Sequence, residues 1–308
     1  MSSLNERLYR ILKPEQIHIK EPMSRHTTFR TGGPADWYVE PEQLNELKDI
    51  LTACREENVP YYILGNGSNL LVGDGGYRGV MIALGPAFAE VGADGCRIRA
   101  RAGALLAAPV KLALERGLTG LEFAAGIPGS VGGAVVMNAG AYGSEISRVL
   151  KSATLLTQEG EVRDLPASDL ELGYRTSCVP GMNAIVLEAV FELEESDPVQ
   201  IRARMDELTA RRREKQPLQF ASAGSTFKRP PGYFAGRLIE ESGLKGFSIG
   251  GAQVSEKHSG FIINRHQATS ADILQLCREV QRRVREKQGV ELELEVRLVG
   301  EFSGERQK

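Results

Sequence analysis

The sequence predicts an α+β fold with more than one folding unit. Short apolar runs rich in β-branched residues are mixed with helical patterns, without a strict β-α-β alternation. The length of 308 residues exceeds one ordinary domain and leaves room for two or three units. A strongly charged segment at 198–215, followed by the loop-like QPLQFASAGS, marks the clearest boundary between units.

Helices are predicted where apolar residues recur at helical spacing and end signals flank them. Pro41 suits a first helical turn, Ser196 and Asp197 precede the charged helix, and Gly117 and Gly289 each close a helix. The predicted helices cover 3–13, 41–56, 104–116, 198–215 and 270–287.

Strands are predicted where short β-branched runs are bounded by Gly, Asn, Asp or Pro. The stretch LELEVRLVG alternates like an edge strand with a charged outer face. The other predicted strands cover 61–64, 80–84, 153–157, 184–193 and 260–263.

Composition and charge exclude several classes of protein. Lys and Arg number 38 against 40 Asp and Glu, with no basic tail, so we expect no nucleic-acid partner. No run approaches 18 apolar residues and the N-terminus carries scattered charges, so we expect a cytoplasmic protein with no membrane association. The four cysteines and four histidines form no disulfide framework and no metal-ligand spacing, so we expect neither disulfides nor metal.

Two glycine-rich segments are candidate cradles for phosphate. Gly65 to Asn69 follows the predicted strand YYIL, and Gly126 to Gly133 reads GIPGSVGG. Glycine permits positive φ and close backbone approach, so successive N–H groups can converge on phosphate oxygens. A tight turn is the alternative for each segment, and the Rossmann and Walker patterns fail on glycine spacing and context.

Isolated side chains predict less about the function than the glycine-rich segments do. Ser225 lies among small residues that leave room for a ligand, although a turn is the commoner place for a Gly-Ser pair. Taken alone, Tyr174, Arg175 and Glu295 fit an ordinary solvated surface. From the residues alone, the sequence therefore predicts a nucleotide or other phosphate-bearing ligand and no particular reaction.

Taken together and in order, these segments resemble the UDP-N-acetylenolpyruvoylglucosamine reductase family, in its shorter second type. The match runs almost end to end. It includes HTTFRTGGPA from His26, LGNGSNLLV from Leu64, GLEFAAGIPGSVGGAVVMNAGAYG from Gly120, SAGSTFKRP from Ser222, and LEVRLVG from Leu294.

The resemblance implies an FAD-binding fold of the vanillyl-alcohol-oxidase type, made of two subdomains, and a smaller α/β substrate-binding domain. We expect the subdomains at 1–80 and 81–205, the substrate domain at 206–290, and a C-terminal strand and tail at 291–308. We further expect a monomer.

The resemblance also implies the reaction. The family uses NADPH to reduce non-covalent FAD, and hydride from flavin N5 then reduces UDP-N-acetylglucosamine-enolpyruvate at its terminal enolpyruvyl carbon. By position, Ser225 matches the proton donor, Arg175 the active-site arginine and Glu295 the active-site glutamate. Glu295 either donates a hydrogen bond as an acid or orients Arg175 or water as a carboxylate.

Ligand-binding residues are carried over in the same way. We expect the cofactor at Gly65, Asn66, Gly67, Ser68, Asn69, Gly126, Gly129, Ser130, Gly133, Asn138 and Gly140. We expect the sugar nucleotide at Tyr174, Lys215, Lys228 and His258. Nicotinamide and sugar nucleotide use one pocket in turn in this family, which explains why no second dinucleotide motif appears.

Two positions depart from the family pattern: Arg229 stands where Asn is common, and His258 where the longer type has Gln. Two alternatives remain open at this point. One is an oxidase of the same fold, although its usual covalent flavin histidine is not evident. The other is a non-catalytic sugar-nucleotide-binding protein, which would be expected to lack one of the three catalytic matches.

Overall fold

A computed structural model describes residues 3–302 of the chain. The first two residues of the predicted 1–80 subdomain and residues 303–308 of the predicted C-terminal tail lie outside the described residues. Residues up to His18, Tyr38–Asn66 and Met81–Arg212 form a first compact unit. Ile19–Trp37, Gly67–Val80 and the chain from Arg213 form a second. The finer division into subdomains stays a prediction.

All five predicted helices are present, with ends shifted by a few residues, and two short helices were missed. The helices are α1 Ser3–Ile11, α2 Leu44–Glu56, α3 Ala107–Glu115, α4 Val131–Val136, α5 Pro198–Lys215, α6 Ala235–Glu241 and α7 Ser270–Gln288.

Each predicted strand overlaps an observed one. The strands are β1 Ile17–Pro22, β2 Pro34–Val39, β3 Tyr61–Leu64, β4 Leu70–Val72, β5 Tyr77–Ala83, β6 Val91–Asp94, β7 Arg97–Arg101, β8 Leu118–Thr119, β9 Gly140–Ala141, β10 Ser144–Glu145, β11 Leu150–Leu156, β12 Val162–Pro166, β13 Ile185–Glu192, β14 Glu194–Glu195, β15 Ser248–Ile249, β16 Ala252–Val254, β17 Ile262–Asn264 and β18 Arg297–Val299. One four-stranded sheet has the order β1-β2-β5-β3.

The first unit is built on an antiparallel sheet in the order β12-β11-β13-β7-β6. Strand β7 shows why the sheet forms here, because Ile98 and Ala100 are buried while Arg97 and Arg99 face water at a period of two. On the wet face, Arg97 pairs with Glu192 of β13 at 3.2 Å. Helix α4 packs on β13 and α3 packs on β6 and β7, which closes the apolar side.

The second unit packs helix α7 against the sheet β15-β16-β17. The apolar residues Ile273, Cys277, Val280 and Val284 recur on one helical face and are all buried. Strand β18 pairs in parallel with β4, with Arg297 opposite Leu70. This pairing fixes the segment that carries Glu295.

The missed helix α4 has a weak helical signal. Helix α4, VGGAVV, holds two glycines and three valines, which are poor helix formers, and it is short. Its start is set by Ser130, whose Oγ accepts a hydrogen bond from the Gly133 N–H at 3.3 Å. The glycine-rich segment 126–133 therefore continues as helix α4 beyond Ser130.

Helix α7 begins at an unusually well-satisfied N-terminus. Thr269 Oγ1 accepts from the Asp272 N–H at 3.0 Å, and Asp272 Oδ2 accepts from the Thr269 N–H at 3.0 Å. In addition, Asp74 accepts from the N–H groups of Ser270 and Ala271, each at 2.8 Å. Asp74 thus ties the β4 segment to the helix.

Replacement of Asp74 by alanine is expected to lower the free energy of unfolding by about 1–2 kcal/mol, because two helix N–H groups lose their acceptor. Asp74→Asn keeps one acceptor oxygen and should lose less. Urea unfolding followed by circular dichroism measures the change, with Asp94→Ala at the exposed end of β6 as control. Equal stability of Asp74→Ala and the native protein would show that the contacts contribute nothing.

Candidate active site

The two glycine-rich segments meet in the first unit, although they are far apart in sequence. The Asn66 side-chain amide donates to the Pro128 carbonyl at 2.7 Å. A Cβ atom on Gly65 would lie 2.3 Å from Ser130 Oγ, so the lack of a side chain at Gly65 lets the two segments approach closely. The two predicted phosphate cradles therefore lie side by side.

Backbone donors at this meeting point are not used by the protein. Among residues 3–302, the N–H groups of Gly65, Asn66, Gly129 and Ser130 have no hydrogen-bond acceptor. Backbone amides nearly always find a partner, and a cluster of unused ones suits the oxygens of an anion. These residues therefore fit a cofactor that carries phosphate groups.

The backbone N–H groups of the three residues after Ser130 already have acceptors within the protein. The Val131 and Gly132 N–H groups donate to Ala104 and Ala102 carbonyls at 2.8 and 2.9 Å, and the Gly133 N–H donates to Ser130. Gly133 was predicted to bind the cofactor, and its amide is not available for it. Contact of Gly133 with the cofactor through its other atoms stays a prediction.

Arg175 occupies the tip of a tight turn in the first unit. Gly173 and Thr176 exchange backbone hydrogen bonds at 3.1 and 3.3 Å, and Arg175 has a positive φ of 57°. A non-glycine residue in this region costs free energy and is held there by its surroundings. Arg175 Nη2 donates to the Gly140 carbonyl at 2.9 Å, while Tyr174 is exposed, with its ring centroid 5.2 Å from Arg175 Cζ.

Asn138 supports the turn that carries Arg175, and its contact with the cofactor stays a prediction. Its side chain is completely buried. Its amide donates to the Gly173 carbonyl at 3.0 Å and its oxygen accepts from the Ser147 N–H at 2.8 Å. Gly140 likewise contributes its carbonyl to Arg175, so both residues support the turn that carries the arginine.

Ser225 and Glu295 lie on adjoining backbone segments of the second unit. Thr226, next to Ser225, accepts from the Glu295 N–H at 2.9 Å through its carbonyl. The Asn69 side-chain amide donates to the Glu295 carbonyl at 3.0 Å. The backbone of Glu295 is therefore held on both sides.

The Ser225 hydroxyl is open while its neighbours are fixed. Ser225 is exposed and makes no hydrogen bond to a residue in the described part of the chain. Ala223 and Thr226 are buried, and Thr226 Oγ1 accepts from the Ile262 N–H at 3.0 Å. A hydroxyl on such a rigid segment is suited to proton transfer to a bound molecule.

Gly67 to Asn69 belong to the second unit, unlike Gly65 and Asn66. Gly67 has φ of 59°, and a Cβ there would lie 1.9 Å from the His26 carbonyl oxygen, so the position requires glycine. The Thr28 N–H donates to the Gly67 carbonyl at 3.1 Å. Ser68 is half-buried.

The two lysines that are predicted to bind the sugar nucleotide have different surroundings. Lys215 is exposed at the end of α5. Lys228 Nζ forms an ion pair with the exposed Glu293 at 3.0 Å. Arg229, the departure from the family pattern, places its Cζ 4.2 Å from the ring centroid of the exposed Phe234.

His258 is a half-buried ring with an assigned tautomer. Its Nδ1 accepts from the Gly260 N–H at 3.1 Å, so the neutral ring carries its proton on Nε2. The ring lies edge-on to Phe261, with centroids 5.0 Å apart, and glycines at 236 and 260 leave room for it. Burial lowers the pKa of His258, a backbone hydrogen bond and Glu240 act in the opposite direction, and Lys215 adds a small lowering.

This pKa shift predicts a pH dependence of stability. The unfolded chain binds the proton more readily than the folded protein, so the stabilisation is complete above about pH 6.5 and is lost as the pH falls below it. The loss reaches at most about 1.4 kcal/mol per pH unit. His258→Gln, which does not titrate, should lose less stability between about pH 7.5 and 5.5 in urea unfolding. The same loss in both proteins would exclude His258 as the cause.

The remaining reactive groups do not form a second centre. Within residues 3–302, no group of three or more His, Cys, Asp or Glu side chains is placed to hold a metal ion. The four cysteines are unpaired thiols. Burial raises the pKa of Cys54 and of Cys277 to about 12, so neither is a thiolate at neutral pH.

Two protein families match successive parts of the chain. The FAD binding domain family matches residues 35–166. The family described as UDP-N-acetylenolpyruvoylglucosamine reductase, C-terminal domain, matches residues 216–299. The first match contains the meeting point of the two glycine-rich segments, and the second contains Ser225 and Glu295.

Curated relatives extend the likeness to the whole chain. The UDP-N-acetylenolpyruvoylglucosamine reductase of Clostridium novyi is 51% identical over 300 residues, which cover 97% of both chains. The enzyme of the same name from Clostridium botulinum is 53% identical over 291 residues, covering 94% of this chain and 95% of the relative.

A solved structure of the same name as these relatives is also similar to the chain. The UDP-N-acetylenolpyruvylglucosamine reductase of Thermus caldophilus has a TM-score of 0.79 at 38% identity and covers 92% of this chain and 98% of its own. The grass pollen allergen Phl p 4, with glucose dehydrogenase activity, has a TM-score of 0.52 at 16% identity, covering 64% of this chain and 45% of that one. This second likeness concerns the fold alone. Among the described residues, no helix is long and apolar enough to cross a membrane.

Proposed function

This chain belongs to the UDP-N-acetylenolpyruvoylglucosamine reductase family of FAD-dependent oxidoreductases, and from that premise we propose its substrate and chemistry. The protein reduces the enolpyruvyl ether of UDP-N-acetylglucosamine-enolpyruvate to UDP-N-acetylmuramate, with NADPH as the reductant. The reaction belongs to cell-wall peptidoglycan synthesis and takes place in the cytoplasm. The observation that carries the proposal is the correspondence with family members over 97% of both chains.

The cofactor is held in part by the first unit. The unused N–H groups of Gly65, Asn66, Gly129 and Ser130 suit the phosphate oxygens of FAD. When bound, FAD supplies hydride chemistry that amino-acid side chains lack. The residues of the protein itself bind the ligands, stabilise charge and deliver a proton.

Arg175 is proposed to stabilise developing charge. Addition of hydride to the terminal enolpyruvyl carbon leaves negative charge delocalised onto the adjoining carboxylate as an enolate. A preorganised cation aimed at such charge contributes about 3 kcal/mol or more. The tight turn, the bond to Gly140 and the anchoring of Gly173 by Asn138 preorganise the guanidinium.

Ser225 is proposed to complete the reduction. The enolate carbon next to the carboxylate must take up one proton, which converts the C=C bond to a single bond and restores the carboxylate. The exposed Ser225 hydroxyl donates this proton and is then reprotonated from solvent. Its rigid flanking residues restrict the direction of delivery.

Glu295 has a supporting part in this proposal. Hydrogen bonds to Thr226 and from Asn69 fix its backbone, and this fixes the position from which its side chain extends. A protonated Glu295 would donate a hydrogen bond to the enolate, and an ionised one would orient a donor or water. A Glu295→Gln variant separates the two, because glutamine retains a donor but no negative charge.

The decisive test of the proposed function is identification of the product. Purified protein is incubated with NADPH and UDP-N-acetylglucosamine-enolpyruvate, and the nucleotide fraction is analysed by mass spectrometry. We expect conversion to UDP-N-acetylmuramate in proportion to the NADPH consumed. NADPH consumption that depends only on oxygen and leaves the enolpyruvyl ether intact would contradict the proposal.

A further inference from the structure

The segment that carries Ser225 lies along the edge of a sheet in the second unit. Strand β17 is the last strand of the sheet β15-β16-β17, so among the described strands it has a neighbour on one side only. At one end of the open edge, the Asn264 N–H donates to the Ala221 carbonyl at 2.9 Å. At the other end, the strand donates to the side chain of Thr226. Ser225 is one of the four residues between these two attachments.

Thr226 is the attachment next to Ser225, and it is bonded in three ways. It is buried, and its Oγ1 accepts from the Ile262 N–H of β17 at 3.0 Å. Its own N–H donates to the Gly260 carbonyl at 2.9 Å. Its carbonyl accepts from the Glu295 N–H at 2.9 Å. One buried residue therefore joins the edge of the sheet to the segment that carries Glu295.

The bond to the carbonyl of Thr226 belongs to a short antiparallel ladder between residues 226–228 and 293–295. Phe227 is paired with Leu294, and a backbone hydrogen bond of 2.9 Å lies on each side of this pair. The register of a ladder decides which residues lie opposite one another. This ladder therefore fixes the backbone of the predicted proton donor, which directly precedes it, with respect to the predicted glutamate at its end.

The hydroxyl is the part of Thr226 that depends on the side chain. The two backbone bonds are open to any residue except proline, whereas the bond from Ile262 requires an acceptor on the side chain. Without that acceptor the buried Ile262 N–H is left unpaired, which is costly, so the segment moves or admits water. A misplacement of about 1 Å in a reacting group slows a reaction by about 10²-fold.

We propose that Thr226 is a positioning residue for proton delivery. By attaching the segment to β17 through its hydroxyl, it holds Ser225 at the distance and in the direction that the enolate carbon requires. The inference rests on the proposed function, in which Ser225 donates the proton. Thr226 itself takes no part in the chemistry, because its hydroxyl is buried and bonded to the protein.

The test compares Thr226→Val, which keeps the shape of the side chain but removes the acceptor, with Thr226→Ser, which keeps the acceptor. Thr157→Val is the matched control, because Thr157 of the first unit is also buried and its Oγ1 accepts from the Glu161 N–H at 3.3 Å. Anaerobic stopped-flow absorbance follows reduction by NADPH and reoxidation by UDP-N-acetylglucosamine-enolpyruvate, and reoxidation is repeated in deuterium oxide. Circular dichroism and flavin content verify that each variant folds and holds FAD.

We expect Thr226→Val to be reduced by NADPH within about twofold of the native rate and to be reoxidised about 10- to 100-fold more slowly. The solvent isotope effect on reoxidation should increase, because proton delivery becomes the slow step. A purely structural loss would slow both half-reactions and leave the isotope effect unchanged. Thr226→Ser should recover most of the rate, and Thr157→Val should react at the native rate in both halves.

A second variant guards against misfolding of Thr226→Val. In Thr226→Ala a water molecule has room to accept from the Ile262 N–H, so we expect the same pattern of rates with a smaller loss.

Native reoxidation rates in Thr226→Val and Thr226→Ala would overturn the proposal, as would equal slowing of both half-reactions or a Thr226→Ser variant as slow as Thr226→Val. These results concern Thr226 alone when the native protein is reoxidised normally. A native protein whose reduced flavin is not reoxidised by the enolpyruvyl nucleotide would contradict the proposed function itself.

Discussion

Replacement of Ser225 by alanine is expected to leave reduction of the flavin by NADPH close to the native rate, and to slow reoxidation by the sugar nucleotide by about 10²- to 10⁴-fold. The two half-reactions are affected differently because only the second, reoxidation by the sugar nucleotide, requires a proton at the enolate carbon. The fold should tolerate the change, since the hydroxyl is exposed and makes no hydrogen bond within the described part of the chain. Anaerobic stopped-flow absorbance measures both rates.

Two further variants make this result specific. Ser225→Cys should recover part of the rate, because a thiol is also a proton donor. Ser222→Ala removes a hydroxyl from the same loop and should behave like the native protein. Native rates in both half-reactions of Ser225→Ala would rule out Ser225 as the acid.

Replacement of Arg175 by methionine is expected to lower the rate of the sugar-nucleotide half-reaction by about 10²- to 10³-fold, with FAD binding retained. The loss follows from removal of a cation that Gly140 and the Gly173–Thr176 turn hold in place. Arg175→Lys should recover little, because one ammonium cannot reproduce the planar donors of the guanidinium. Single-turnover kinetics and flavin fluorescence provide the two readouts.

Arg116→Met, an exposed change in the same unit, is the matched control for Arg175. It should react at the native rate. If Arg175→Met kept its rate within about threefold of native, charge stabilisation by this residue would contribute less than about 1 kcal/mol and the assignment would fail.

Much of the fold could be predicted because the local signals agree with the packing. Thr269 and Gly289 bracket α7 as its cap signals indicate, with Gly289 at a φ of 69°. Helix α2 begins three residues later than predicted, because Gln43 caps it and Glu46 accepts from the Gln43 N–H. End signals thus predict the presence of a helix well, but they predict its first residue less accurately.

Other features depend on partners that are distant in sequence. Asn138 is buried by contacts with Gly173 and Ser147, and no local pattern indicates that its amide supports the turn of Arg175. Gly65 lies close to Ser130, which is 65 residues away in sequence. The glycines indicated where backbone N–H groups without an acceptor lie among the described residues, whereas nothing in the sequence indicated the buried position of Asn138.

The half-buried position of Arg212, whose side chain lies against Gly126, is indicated by the sequence. It stands in the run RRREK, where each cation looks equally solvated. Its spacing from Ile201 and Leu208 places it on the apolar face of the helix, which singles it out from Arg211 and Arg213. Helical periodicity applied to charged residues would have identified this position.

The central claim is that one protein passes reducing equivalents from NADPH through bound FAD to the enolpyruvyl sugar nucleotide. The most direct measurement is the visible flavin absorbance of the purified protein without oxygen. We predict that NADPH bleaches it and that UDP-N-acetylglucosamine-enolpyruvate then restores it, while UDP-N-acetylglucosamine does not. A protein that binds no flavin, or whose reduced flavin is unaffected by the enolpyruvyl compound, would contradict the account.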